Sequence, residues 1–194
     1  MPFGDAPVGS SSITTRRLPE SLRAWLISER ASGLGQDLDG IIIVPAFFEG
    51  GRYTIDDIHW VEQDGEMVPV HETEFARDPV FGFKHSDLKA WVGEKMGGAV
   101  KSGGVRSISL KLLREGGPEE VAEKLAGVSG GAPVIVNAAC YEDLEVLALG
   151  ILAEEKKGKI FAYRCAASFV KARDVFSTYE PTTISPSPLP VATS

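Results

Sequence analysis

Residues 133–163 read PVIVNAACYEDLEVLALGILAEEKKGKIFAY, and this stretch decides the fold class. Pro133 to Asn137 is a short apolar run rich in β-branched side chains, the signature of a buried strand. Glu142 to Glu155 then carries Leu144, Val146, Leu147, Leu149, Ile151 and Leu152, apolar nearly all round, which predicts a deeply packed helix. Lys159 to Tyr163 returns to strand. Strand, helix and strand in that order imply parallel pairing through a right-handed crossover.

The same alternation extends outward in both directions. Downstream, Ala166 to Arg173 adds a helical segment. Upstream, a strand at Val105 to Ser109 feeds a helix at Pro118 to Leu125. Gly40 introduces Ile41-Ile42-Ile43-Val44, a strand expected to be buried on both faces. Two extended pieces, Tyr53 to Val61 and Met67 to Val70, flank Gln63-Asp64-Gly65, where Asp-Gly signals a hairpin. Leu88, Trp91, Val92 and Met96 share a helix face, with Ser86 as the expected N-cap and Gly97-Gly98 as the stop. A further helix is expected after Pro19, through Leu22, Trp25 and Leu26, ending at Gly33 and Gly35. The expected architecture is a three-layer α/β/α sandwich with a mainly parallel sheet plus a β-hairpin insertion. Residues 1–17 and 175–194, poor in apolar residues and rich in Ser, Thr and Pro, are expected to be disordered, leaving a domain at 18–174.

The chain has 194 residues, 43% of them hydrophobic and 24% charged, enough for one ordinary core. Its longest apolar run, Ile41 to Phe48, is far below the ~20 residues of a membrane span. The opening Met-Pro-Phe-Gly-Asp-Ala-Pro has neither the basic nor the apolar region of a secretory signal. Twenty Lys and Arg against 27 Asp and Glu give a formal net charge of −7, which repels phosphate backbones and argues against nucleic acid or anionic membrane as partners. Cys140 and Cys165 lack metal-type spacing; both are expected to be small buried residues with reduced thiols in a cytoplasmic protein.

Ligands of open parallel sheets bind beyond the carboxyl ends of the strands, which singles out the segments following each predicted strand. Glu49-Gly50-Gly51-Arg52 is the most suggestive: the glycines permit close backbone approach, and Arg52 offers a fork for carboxylate or phosphate. A plain tight turn with Arg52 on the surface is the competing reading. No Walker-type phosphate loop is present, and the glycine-rich segments 97–104 and 127–131 precede strands rather than helices. No nucleotide site is therefore expected in this chain. His71, Glu72, Glu74, Asp78 and His85 are scattered without metal-ligand spacing, so no metal is expected.

Four segments carry a family resemblance: Pro45 to Thr54, Glu72 to Gly82, Val136 to Ala139, and Tyr163 to Val170. In this order they resemble the N-terminal sugar-binding domain of the four-carbon acid sugar kinases. That family phosphorylates acids such as threonate and erythronate with ATP. The resemblance implies that this chain is the substrate-recognition portion of such an enzyme. It makes Glu49, Gly50, Gly51, Arg52, Glu72, Thr73, Glu74, Arg164 and Ser168 candidates for sugar-acid binding. Thr73 as a helix cap and Arg164 as the partner of a helix carboxylate are the structural alternatives. ATP with a divalent cation is implied for the complete enzyme, held by a nucleotide-binding domain or companion chain. The family's Asp-Asp-x-Thr-Gly turn and its Ser-Arg-x-Asp-Ser-Thr-Leu-Arg-Gly segment are missing, and Cys165 stands where Thr or Ser is expected. The chain thus resembles an internal piece of the sugar domain, expected to be inactive alone. The alternative function is a non-catalytic binding or interaction module, or a degenerate fragment of that family, for which a homodimer completing the sheet or a companion chain supplying the missing parts would be the mark.

Overall fold

The computed structural model describes residues 38–79, 82–96, 100 and 104–177. In chain order the elements are β1 (Gly40–Val44), β2 (Arg52–Ile55), β3 (Ile58–Gln63), β4 (Glu66–Pro69), α1 (Leu88–Lys95), β5 (Arg106–Ile108), α2 (Gly117–Ala126), β6 (Ala132–Val136), α3 (Tyr141–Lys156), β7 (Phe161–Cys165) and α4 (Ala167–Ser177). Single 3₁₀ turns at Phe48–Gly50, Val70–Glu72 and Glu74–Arg77 join the early elements, and a π-helical turn at Leu112–Gly116 leads into α2.

Four strands form one parallel sheet in the order β5-β6-β1-β7. β1 is internal, with Ile42 opposite Val134 on one side and Tyr163 on the other. This placement explains its unbroken β-branched sequence, since neither face meets water. Ile42 and Val44 point into one core with Ile108, Val134, Val136, Leu125, Leu144, Leu147, Ile151 and Phe169, so α2, α3 and α4 cover that face. Ile41 and Ile43 point the other way, into a smaller core with Ile135, Ala162, Leu88, Val92 and Met96, so α1 covers the second face. The three-layer α/β/α architecture read from the sequence is the architecture of the protein.

The antiparallel part is larger than a single hairpin. β2, β3 and β4 make a three-stranded sheet in sequence order. The Asp64-Gly65 turn lies where expected, but the piece read as one extended segment, Tyr53 to Val61, folds back on itself at Asp56 and Asp57. Both residues have left-handed backbone, φ 53° and φ 63°, the conformation a two-residue hairpin needs and which Asp tolerates better than most side chains. Without a glycine, that turn carries no strong sequence signal.

Smaller departures have equally local causes. Asp87, not Ser86, caps α1, accepting the Ala90 amide at 2.9 Å. Ser86 is taken by His71, whose amide donates to its Oγ at 2.8 Å. β7 begins two residues later than expected, because Ile160 donates its amide to Asp39 and Lys159 reaches both Asp39 and the Val128 carbonyl. Those contacts hold Lys159 and Ile160 at the strand's entrance and push Arg164 and Cys165 onto its last two positions. α4 runs on to Ser177, past the expected boundary at 174. Leu149 on α3 is 39% exposed, so that helix is not buried all round. The expected helix after Pro19, the Gly97-Gly98 stop, residues 1–17 and the rest of the C-terminal segment lie outside the described residues.

Candidate functional site

The sheet creates two crevices at its carboxyl end. β1 hands the chain to the α1 face, while β6 and β7, on either side of it, hand the chain to the opposite face. Helices leaving neighbouring strands in opposite directions leave a gap between them. The gap beside β6 is plugged by the hairpin: Thr54 and Ala138 exchange both backbone hydrogen bonds at 3.0 Å. The gap beside β7 is open. There a cleft of about 970 Å³ runs between Ile43 and Pro45 at the end of β1, Tyr163 to Ala166 at the end of β7, Leu88 and Trp91 of α1, and Arg52, His59, Glu74, Phe75, Arg77, Asp78 and Pro79 of the β2–β4 side.

Three arginines, Arg52, Arg77 and Arg164, line this cleft, and two of them are held against aromatic rings. Arg52, the first residue of β2, lies over the ring of Phe75 at 4.7 Å. Arg164, near the end of β7, lies over the indole of Trp91 at 4.7 Å. A guanidinium stacked this way uses its face for the ring and keeps its N–H edge for a planar anion. Among the described residues no ion pair joins Arg52 or Arg164 to a carboxylate, and Glu74 and Asp78 also line the cleft. Arg164 stays exposed, and the protein atoms around it lower its pKa below the ordinary value. His59 stands behind Arg52; burial, reinforced by the Arg52 charge, pulls its pKa from an ordinary 6.5 down to about 4. His59 is therefore neutral at pH 7, with Nδ1 3.1 Å from Thr54 Oγ1.

A second cluster fixes the turn that delivers Arg52. The Glu49 carboxylate accepts from Tyr141 Oη, from Ser168 Oγ at 2.9 Å, and from Lys171 Nζ at 3.4 Å. The Tyr141 bond foremost, then its own backbone N–H and Ser168, hold Glu49 at a pKa of about 2. Ser168 Oγ also accepts the Phe48 amide at 3.0 Å. Gly51 takes left-handed backbone at φ 63°, and a Cβ on Gly50 would stand 2.4 Å from the Phe47 ring. Both glycines thus serve the turn itself, and the close approach they permit is that of Phe47.

A third cluster ties the β2–β3 turn to the sheet. The Asp57 amide donates to Asn137 Oδ1 at 2.7 Å, and Asn137 Nδ2 donates back to Asp57 Oδ1 at 2.8 Å. Ser107 Oγ donates to the same oxygen, and Lys89 Nζ reaches Oδ2 at 2.6 Å. Burial pushes the Asp57 carboxyl up, but Lys89, Ser107 and Asn137 together outweigh it and leave its pKa below the ordinary value.

The sequence candidates therefore divide. Arg52, Glu74 and Arg164 line the cleft. Glu49, Gly50, Gly51 and Ser168 build the turn behind it. Thr73 is buried, and its hydroxyl donates to the Val70 carbonyl at 2.7 Å rather than capping the turn that follows. Glu72 is exposed, 3.8 Å from His71. Arg164 stacks on Trp91 and does not join a helix carboxylate. Cys165 is exposed in the cleft and Cys140 is partly exposed, so neither is the buried small residue expected. Phe75, Trp91 and His59 escaped the sequence reading because each looks like ordinary core or strand periodicity. Among the described residues no three His, Cys, Asp or Glu side chains gather as a metal site.

A model of the sugar-binding N-terminal domain family matches residues 27–173. The chain belongs to that family. This sugar-binding domain is similar in fold to a Haemophilus influenzae protein from a family of unknown function, at TM-score 0.54 and 18% identity over 84% of this chain and 43% of that one. It is similar to a putative tRNA synthase from Salmonella typhimurium, at TM-score 0.52 and 16% identity over 91% of this chain and 48% of that one. A Bordetella bronchiseptica protein with a domain of unknown function, solved as a domain-swapped dimer with bound citrate, gives TM-score 0.48 and 22% identity over 69% and 29%. The chain spans less than half the length of each of these structures. No curated protein gives a significant match. Within the described residues no helix is long and apolar enough to cross a membrane.

Carboxylates occupy the starts of two helices in this sugar-binding domain. Asp143 fills the N-terminus of α3, accepting the Ala139 and Cys140 amides at 2.9 and 3.2 Å while pairing with Arg114 at 2.8 Å. Glu49 stands at the start of α4 through Ser168. A carboxylate at each of these helix starts occupies the position and supplies the charge that a phosphate would bring.

Proposed function

We propose that this domain recognises a four-carbon sugar acid, such as threonate or erythronate, for an ATP-dependent kinase working in the cytoplasm. The observation that carries this is the pair of ring-stacked arginines in the open cleft beside β7, neither of them paired with a carboxylate among the described residues. Arg52 and Arg164 would hold the carboxylate through charge-assisted hydrogen bonds, with Glu74 and His85 on the same cleft for the hydroxyls. Glu49, Gly50, Gly51 and Ser168 would act by fixing the Arg52 turn, and Thr73 by fixing the wall that carries Glu74. Glu72, outside the cleft lining, would reach only the part of a ligand that extends from it.

ATP and its divalent cation would be held outside the described residues, by a further domain or a companion chain. The carboxylate-filled starts of α3 and α4 support that division. What this domain contributes to phosphoryl transfer is then position: it binds and orients the acid and keeps one hydroxyl facing outward.

The test is a thermal melt of the chain with millimolar threonate, erythronate, or the uncharged polyol threitol. A ligand that binds only the native state stabilises it by about 2.7 kcal/mol at a hundredfold excess over its dissociation constant. We expect a clear rise with one acid, none with threitol, and loss of the rise in Arg52→Gln. Equal shifts with acid and polyol, or no shift with either acid, would overturn the proposal.

A further inference from the structure

We infer that His59 is a specificity residue of the cleft beside β7, offering its imidazole to the hydroxyl next to the ligand's carboxylate. This rests on the reading of the cleft as a sugar-acid site with the carboxylate on Arg52, and it assigns the neighbouring contact. Arg52 and His59 share one face of the hairpin. Arg52 stands opposite Val61 and Thr54 opposite His59, so Arg52 and His59 are diagonal neighbours, a spacing long side chains can bridge. Both line the cleft, and the Arg52 charge acts on the imidazole. In a 2-hydroxy acid the carboxylate and the first hydroxyl sit on adjacent carbons, so a ligand held by Arg52 presents that hydroxyl first to its neighbours.

The ring is built into the wall. Thr54 is wholly buried with its Oγ1 3.1 Å from Nδ1, and the Tyr53 carbonyl also meets the ring. The backbone is pinned on both strands: Thr54 exchanges hydrogen bonds with Ala138, and the His59 amide donates to the Ser86 carbonyl at 2.9 Å. Thr54 takes Nδ1, which leaves Nε2 for a ligand, and the small exposed part of the residue borders the cleft. Packing alone does not account for an imidazole here. Its neutrality beside a guanidinium costs stability in acid that an amide or apolar side chain would avoid. A neutral imidazole has one N–H donor and one acceptor nitrogen. A hydroxyl both donates and accepts, so it answers Nε2 in either tautomer, whereas a carboxylate only accepts and a methylene does neither. A wall that hydrogen-bonds a hydroxyl rejects the analogue lacking it, because the nitrogen is then left unpaired.

Isothermal titration of the full chain at pH 8 and constant ionic strength tests this. The probes are the tighter of threonate and erythronate, and 3,4-dihydroxybutanoate of matching configuration, which lacks only the hydroxyl beside the carboxylate. We expect the trihydroxy acid to bind about tenfold or more tighter. That advantage should vanish in His59→Asn, whose amide can still meet Thr54 but stops short of the Nε2 position. Equal binding of the two acids by the native protein overturns the inference and leaves the sugar-acid reading intact. So does a His59→Asn variant that weakens both acids alike, or neither, and keeps the advantage. Binding of neither acid to the native protein overturns both readings. If His59→Asn melts without cooperativity, nitrogen-15 NMR of the native ring decides at the same pH, where the imidazole is neutral. The Nε2 resonance should move with saturating trihydroxy acid and much less with the dihydroxy acid, and equal movement overturns the inference.

Discussion

At the scale of single residues, His59 is the most informative group. It is 8% exposed and sits next to a fixed cation, so its neutral form is favoured for two reasons that act in the same direction. Its folded value, about 4, lies below the ordinary 6.5. Between those limits the unfolded chain binds a proton that the native protein refuses. Stability is therefore complete above about pH 7, falls as the pH drops through 6.5, and levels off again below about 4. The full fall attributable to this one side chain is about 3 kcal/mol. Denaturant titrations from pH 4 to 8 should show that slope in the native sequence and a smaller one in His59→Asn. Because Arg52 supplies part of the depression, an anion bound at Arg52 should raise the imidazole pKa, visible by NMR titration with and without ligand. An unchanged His59 titration in the presence of saturating acid would place the anion elsewhere.

At the scale of elements, the β2–β3 hairpin shows how one segment can serve two ends. Its turn holds two consecutive aspartates in left-handed backbone, yet only the second is used: Asp57 is bonded to Ser107, Asn137 and Lys89, whereas Asp56 is exposed with no hydrogen-bond or ionic partner among the described residues. Asp56 thus bears the cost of its φ of 53° without a compensating contact. Replacing it by glycine should stabilise the protein by about 0.5–1 kcal/mol, since relief of left-handed strain exceeds the added entropy of the unfolded chain. Chemical denaturation of Asp56→Gly checks this, and a destabilised variant would mean that the Asp56 side chain has a role. The hairpin was half legible from sequence. Asp64-Gly65 announces itself because glycine is the usual solution to positive φ. Asp56-Asp57 does not, because the stabilisation of that turn comes from residues 30 to 80 positions away.

At the scale of the whole molecule, Asp57 is the clasp between the antiparallel sheet and the parallel one. It draws together the β2–β3 turn, the ends of β5 and β6, and α1, and Arg52 is carried on the hairpin it anchors. Asp57→Ala leaves Lys89 without its partner and removes the one oxygen that accepts from both Ser107 and Asn137. Since Lys89 is itself 35% exposed and water can take over part of its solvation, we expect a loss of about 2 kcal/mol rather than the larger cost of a fully buried pair. Sugar-acid affinity should fall along with it, whereas a merely local role for the clasp would lower stability and leave affinity unchanged in the folded fraction. The parallel α/β core, its helices and its internal strand were determined by the sequence alone. Runs such as Ile41 to Val44 and the Leu-rich α3 impose their structure through periodicity and burial, which are local properties. The site was only partly so. Arg52, Glu74 and Arg164 could be named as polar residues at the carboxyl ends of strands, but nothing along the chain joins Arg52 to Phe75 or Arg164 to Trp91. That Glu49 and Ser168 would bind each other, and that one crevice would be plugged while its neighbour stayed open, depends on which strands stand beside β1. Only the tertiary structure decides those matters, because a cleft is a relation between surfaces brought together by folding, whereas a strand or helix is largely written in its own residues.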